Sequence, residues 1–78
     1  TNMAQAFFIA GAESVSMTLW PIADEGTSIF MKSVYKNVNA GRSISKSLNM
    51  TKLEFIAGDY GEEYKKPYYW APFVYYGK

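Results

Sequence analysis

A change of hydrophobic period constrains this chain more than any other feature. Ser14-Val15-Ser16-Met17-Thr18-Leu19 alternates strictly between polar and apolar, and a period of two puts Val15, Met17 and Leu19 on one face of a strand. Trp20-Pro21 ends the run, because proline offers no ladder donor and biases the residue before it away from helix. Beyond it the period becomes helical. Phe30, Val34 and Val38 recur at i, i+4, i+8, with Met31 and Tyr35 alongside and Lys32 and Lys36 on the wetter side. Asp24 is the expected N-cap, Glu25 adds a first-turn carboxylate, and Asn39-Ala40-Gly41 is the stop.

The same logic extends to both ends. Met3, Ala6, Phe7 and Ala10 have helical spacing, with Asn2 as cap and Gly11 as stop, so a short helix is expected before the strand. Ser43 caps a further helix with a principal stripe of Ile44, Leu48, Thr51 and Phe55, ended by Gly58-Asp59-Tyr60-Gly61. Met50, Leu53 and Ile56 widen its apolar surface beyond one face, which implies more than one packing neighbour. Glu62 to Lys66 reads as a solvated, mixed-charge loop, Pro67 to Pro72 as a tight aromatic turn, and Phe73-Val74-Tyr75-Tyr76 as a last strand.

The expected order is α-β-α-α-β, an α/β layered arrangement. Two strands do not make a stable sheet alone, and a chain of 78 residues buries only about 60% of its unfolded surface. Hydrophobic residues are 49%, aromatics 18% and charged residues 19%, a core-forming composition rather than a disordered one. Such a chain is expected to be part of a larger fold.

Absences exclude whole classes of chemistry. With Cys 0 and His 0 there is no thiolate, no disulfide and no imidazole base, so Ser-His, Cys-His and zinc-finger sites are excluded within these residues. No cofactor or metal is expected. A net charge of +1 gives no basic field for direct nucleic-acid binding. No apolar run reaches the roughly 18–20 residues of a membrane span, and residues 3–12 lack the basic start of a signal peptide. The lack of cysteine fits a reducing, cytoplasmic location.

Several short patterns have a functional and a plainer reading. Ser43-Ile44-Ser45-Lys46 matches S-x-x-K, but a serine cap followed by an exposed lysine explains it, and the accompanying S-D-N and K-T-G patterns are missing. Thr1 has the position of a terminal-threonine nucleophile only if the polypeptide truly starts there. Asn49-Met50-Thr51 is a glycosylation pattern placed mid-helix. Asp24 and Glu25 serve as cap and dipole partner, or else form an acidic rim at the carboxyl end of a strand, where open α/β sheets bind ligands. Eight of the fourteen aromatics lie between Tyr60 and Tyr76; with only Lys65 and Lys66 nearby, core and interface packing fits them better than base stacking.

Met3-Ala4-Gln5-Ala6-Phe7-Phe8-Ile9-Ala10-Gly11-Ala12, Ser14-Val15 and Leu19-Trp20-Pro21-Ile22 closely resemble the C-terminal part of the CHAT domain. Asp24-Glu25-x-Thr27, Ala40-Gly41-Arg42-Ser43 and Pro67-Tyr68-Tyr69-Trp70-Ala71-x-Phe73-Val74 continue the resemblance from about residue 3 to residue 77. The strand Ser14–Leu19 is less apolar than is usual in that family, Ala23-Asp24 stands where two acids are common, and Lys66 stands where a histidine often precedes the aromatic turn.

CHAT domains are caspase-like cysteine peptidases of the separase–caspase clan, often found beside helical repeats. The resemblance implies a caspase-like three-layer αβα sandwich, of which these residues form the small-subunit-like C-terminal part. It implies that the catalytic His and Cys lie upstream and that no catalytic residue lies here. It also implies that Leu19, Trp20, Pro21, Ile22 and Asp24 form one wall of the substrate pocket, with Trp20 as apolar contact and Asp24 as loop cap or charge selector. The implied partners are the upstream part of the same protease, a protein or peptide substrate and a helical-repeat region. A non-catalytic caspase-like interaction module is the competing expectation.

Overall fold

The structure, a computed structural model, describes the backbone of residues 6–8, 14–18 and 24–77, with side chains over residues 24–75. Strands β1 (Ala6–Phe8), β2 (Ser14–Thr18) and β3 (Phe73–Gly77) form an antiparallel sheet with β2 in the centre. Between β2 and β3 the chain forms helices α1 (Glu25–Asn39) and α2 (Ile44–Ala57), a 3-10 turn (Glu63–Lys65) and a single helical turn, α3 (Pro67–Trp70).

The order corrects one expectation. Helical spacing over residues 3–10 predicts a helix, yet Ala6–Phe8 form β1, paired antiparallel with β2 as Ala6↔Met17, Phe7↔Ser16 and Phe8↔Val15. A helix of that length is marginal in water. The Phe7-Phe8 pair has good strand propensity, and β2 offers a free ladder edge. The predicted cap Asn2 and stop Gly11 lie outside the described residues. The Glu62–Lys66 stretch is likewise more ordered than a loop, for it folds into the 3-10 turn.

Both long helices begin and end where local chemistry dictates. The Asp24 side chain accepts from the Thr27 N–H at 3.2 Å, and Glu25 lies in the positive first turn of α1. Ser43 Oγ accepts from the Lys46 N–H at 3.1 Å to cap α2. At its far end Gly58 adopts the left-handed region at φ +87°. The Gly58 N–H donates to the Phe55 carbonyl and the Asp59 N–H to the Glu54 carbonyl at 3.0 Å, the double bond of a Schellman turn.

The core lies between the helix pair and β3. Phe30, Val34, Leu48, Phe55 and Phe73 are buried. Phe73 stacks on Phe30 with centroids 3.8 Å apart, and Phe55 meets Phe30 edge-on at 5.3 Å. Each ring removed from water contributes about 1.5–3 kcal/mol. The predicted stripes face this core, with Val38 and Ile44 half-buried at their ends and Tyr35 exposed. Met50, Leu53 and Ile56 lie off this core: Leu53 is 63% and Ile56 43% exposed.

Register decides which side of the sheet the helices cover. Phe73 and Tyr75 pack with the helix core, and they pair with Thr18 and Ser16. Val74 pairs with Met17, which pairs with Ala6; Tyr76 pairs with Val15, which pairs with Phe8. Since strand positions alternate between faces, this second, apolar set of positions belongs to the side opposite α1 and α2.

Candidate functional site

Among the residues expected to wall a pocket, Leu19, Trp20, Pro21 and Ile22 lie outside the described residues. Asp24 is described, and its surroundings are specific. It is exposed at the start of α1, held by its cap bond to Thr27 and by carbonyl bonds to Thr27 and Ser28. Two residues on, Gly26 is buried. A β-carbon there would stand 2.9 Å from Tyr69 Cδ1, 3.1 Å from Tyr64 Cε1 and 3.2 Å from Asp24 Oδ1. The two tyrosine rings therefore lie directly on the backbone of the first turn. A glycine inside a helix costs about 1 kcal/mol relative to alanine, and close aromatic approach is the reason for it here.

The aromatic turn reaches α1 because Pro67 starts α3 at a position where a missing N–H costs nothing. Tyr69 meets Tyr64 edge-on at 5.0 Å and Tyr68 at 5.2 Å. Its hydroxyl donates to Glu63 Oε2 at 2.8 Å, while Glu63 also pairs with Lys66 at 3.4 Å. The bond to Glu63, then burial, then the charges of Glu63 and Asp24 push the Tyr69 hydroxyl up to about 12. Burial and the charges of Glu25, Asp24 and Glu63 raise Tyr64. The Tyr69 and Lys66 hydrogen bonds hold the Glu63 carboxyl below its ordinary value. The charges of Asp24 and Glu63 thus act on both tyrosine hydroxyls, with Glu63 itself paired to Lys66.

A second polar cluster, not anticipated from the sequence, joins α1 to α2. Ser33 Oγ donates to Glu54 Oε1 at 2.7 Å and lies 2.9 Å from Thr51 Oγ1; with its one proton committed, it accepts from Thr51. Tyr60 donates to the same Glu54 oxygen at 2.6 Å. Asn37 donates to the Ser33 carbonyl at 2.9 Å and accepts from Arg42 at 3.2 Å. Burial alone would raise the Glu54 carboxyl; the bonds from Tyr60 and Ser33 and the nearby Lys36 charge outweigh it and hold Glu54 below its ordinary value. Ser33 is buried and bonded on all sides, so the cluster staples helices rather than presenting a nucleophile.

Two surface grooves complete the picture. One of about 330 Å³ is lined by Ile29, Lys32, Ser33, Lys36 and Tyr60, and one of about 260 Å³ by Met50, Leu53, Glu54, Ala57 and Asp59. Neither includes Asp24. The S-x-x-K serine acts as the α2 cap, and Thr51 of the glycosylation pattern is buried against Ser33. Thr1 lies outside the described residues. Among the described residues no group of three or more Asp or Glu is placed to hold a metal ion. No helix there is long and apolar enough to cross a membrane.

A family model for the CHAT domain matches residues 1–78. The chain belongs to the CHAT domain family. Searches of curated proteins and of solved structures return no match. Within the CHAT segment, the Asp24 cap, the Ser43 cap and the Pro67–Val74 turn are thus described in three dimensions, with Tyr64 and Tyr69 packed at the first turn of α1.

Proposed function

We propose that this CHAT segment is the C-terminal portion of a caspase-like cysteine endopeptidase, whose His and Cys lie in upstream sequence. The full-length family match, joined to a sequence with no His and no Cys, carries the reading. In it, an upstream thiolate, deprotonated with the help of His, attacks the peptide carbonyl; the amine leaves with a proton, and water hydrolyses the acyl-enzyme. The segment supplies Leu19, Trp20, Pro21, Ile22 and Asp24 as a pocket wall, with Asp24 selecting cationic side chains. Positioning matters here, since a displacement of about 1 Å can cost on the order of 100-fold.

The apolar register set of Val74, Met17, Ala6, Tyr76, Val15 and Phe8, opposite the α1–α2 layer, supports a third layer from the rest of the domain and hence an αβα sandwich. A reducing, cytoplasmic setting and a helical-repeat neighbour belong to the same reading. A non-catalytic interaction module is the second reading, favoured by the exposure of Leu53 and Ile56 on α2. Substrate selection by Asp24→Asn in the complete domain separates the two. The expected result is a drop of about fivefold in kcat/KM for peptides with a basic side chain, the worth of one charge pair at about 4 Å in water, with neutral peptides unaffected. Equal effects on both peptide classes would remove Asp24 from selection, and no cleavage of any peptide would favour the interaction module.

A further inference from the structure

We propose that Tyr69 is a positioning residue for the Asp24 carboxylate, which extends the selector role just proposed for Asp24. The ring lies on Gly26, where any β-carbon would come within 2.9 Å of it, so contact is with the backbone of the turn that Asp24 caps. Side chains packed on backbone move it as a unit, because there is no flexible intermediary to absorb a shift. The ring itself is fixed from several sides. Its hydroxyl is tied to Glu63 at 2.8 Å, and Glu63 is anchored by Lys66 at 3.4 Å. Tyr64 and Tyr68 meet it edge-on. Next to it, Trp70 Nε1 donates to the Lys65 carbonyl at 2.9 Å, closing the 3-10 turn onto α3.

Asp24 has the complementary arrangement. One carboxylate oxygen accepts from the Thr27 N–H, and that same oxygen borders the space around Gly26 that the two rings fill. The two rings and this oxygen therefore border one space beside Gly26, and a rotation of the carboxylate away from Thr27 breaks the cap. The carboxylate is thereby held in one orientation at an exposed edge, which a selector of cationic groups requires. The order of effects is Glu63 to Tyr69, Tyr69 to the first turn of α1, and the first turn to Asp24.

Amide exchange of Thr27 and Ser28, measured in the complete domain, tests this without relying on peptidase activity. Loss of a helix cap corresponds to about fivefold in local equilibrium, so Tyr69→Leu is expected to speed exchange at these two amides about fivefold while leaving α2 unchanged. Tyr69→Phe, which keeps the ring and removes only the Glu63 tie, is expected to move them about twofold. In the peptide assay Tyr69→Leu should reduce the basic-over-neutral preference toward that of Asp24→Asn. Unchanged exchange at Thr27 and Ser28 in both variants overturns the proposal, as does a uniform acceleration across α1 and α2, the mark of a merely structural ring. If those amides respond but Asp24→Asn leaves the preference intact, Tyr69 still positions Asp24 and the selector reading is what fails.

Discussion

Replacing Tyr60 by Phe isolates one hydrogen bond in the seam between α1 and α2. The hydroxyl donates to Glu54 Oε1 at 2.6 Å, and the Tyr60 ring packs on Phe55 at 5.0 Å. Phe keeps the ring and deletes the donor. A hydrogen bond to a charged acceptor is worth about 1.5–3 kcal/mol when buried, but Glu54 and Tyr60 are only half-buried, so solvent screening brings the expected cost to about 1 kcal/mol. The cost depends on pH with a defined sign. Glu54 is held below its ordinary value of 4.5, so its contribution is fully present above that value and is lost as pH falls through the lowered folded value. Tyr60 is raised above 10.0 by burial and by the Glu54 bond, so its contribution is present below pH 10 and is lost as pH rises through the raised value. The penalty of Tyr60→Phe should be level from about pH 5 to pH 9 and shrink to about 0.5 kcal/mol once Glu54 is protonated, where the bond joins neutral groups. Urea titrations of the complete domain at pH 7 and at a pH below the lowered Glu54 value give the difference. A cycle with Glu54→Gln should show coupling at pH 7. An equal penalty at both pH values, or additivity in the cycle, would refute the role assigned to the Glu54 charge.

Two further stability measurements probe the packing. Phe73→Ala removes a fully buried ring stacked on Phe30 and is expected to cost about 3–5 kcal/mol in chemical denaturation; a loss below about 1.5 kcal/mol would mean that β3 is not anchored in this core. Ser47→Ala removes a buried hydroxyl with no hydrogen-bond partner among the described residues and improves helix propensity, so a gain of about 0.5–1 kcal/mol is expected. A loss of stability instead would reveal a partner for Ser47 outside those residues.

Local chemistry made much of the helix layer legible from sequence. Asp24, Ser43 and Gly58 announce helix ends because each satisfies orphan backbone groups within a few residues. Phe30 and Val34, or Leu48 and Phe55, recur at a spacing that only a helix places on one face. What escaped is non-local. Ser33 and Glu54 read as ordinary helix polar residues and Thr51 as a member of the α2 stripe, and nothing in their own segments shows that they meet across two helices. Alternation in Ser14–Leu19 gives parity, but not which parity the helices cover; that follows from pairing with β3. For Ala6–Phe8 the spacing pointed to helix, and the ladder along β2 prevailed. At the candidate site, Asp24 was legible as a cap, and Gly26 carried a signal of its own as a glycine inside a helix. Its occupant, Tyr69, lies 43 positions further on and has no sequence mark of the contact.

In the proposed function this segment shapes a cysteine peptidase whose reactive groups lie outside it. The most direct measurement treats the complete domain and the isolated 78 residues with an electrophilic, thiol-directed peptide probe, in parallel with a peptide-cleavage assay. The expected result is cleavage by the complete domain alone, abolished by the probe, with the label on a cysteine upstream of Thr1. Cleavage by the isolated chain, or a complete domain that cleaves peptides without taking the label, would contradict it.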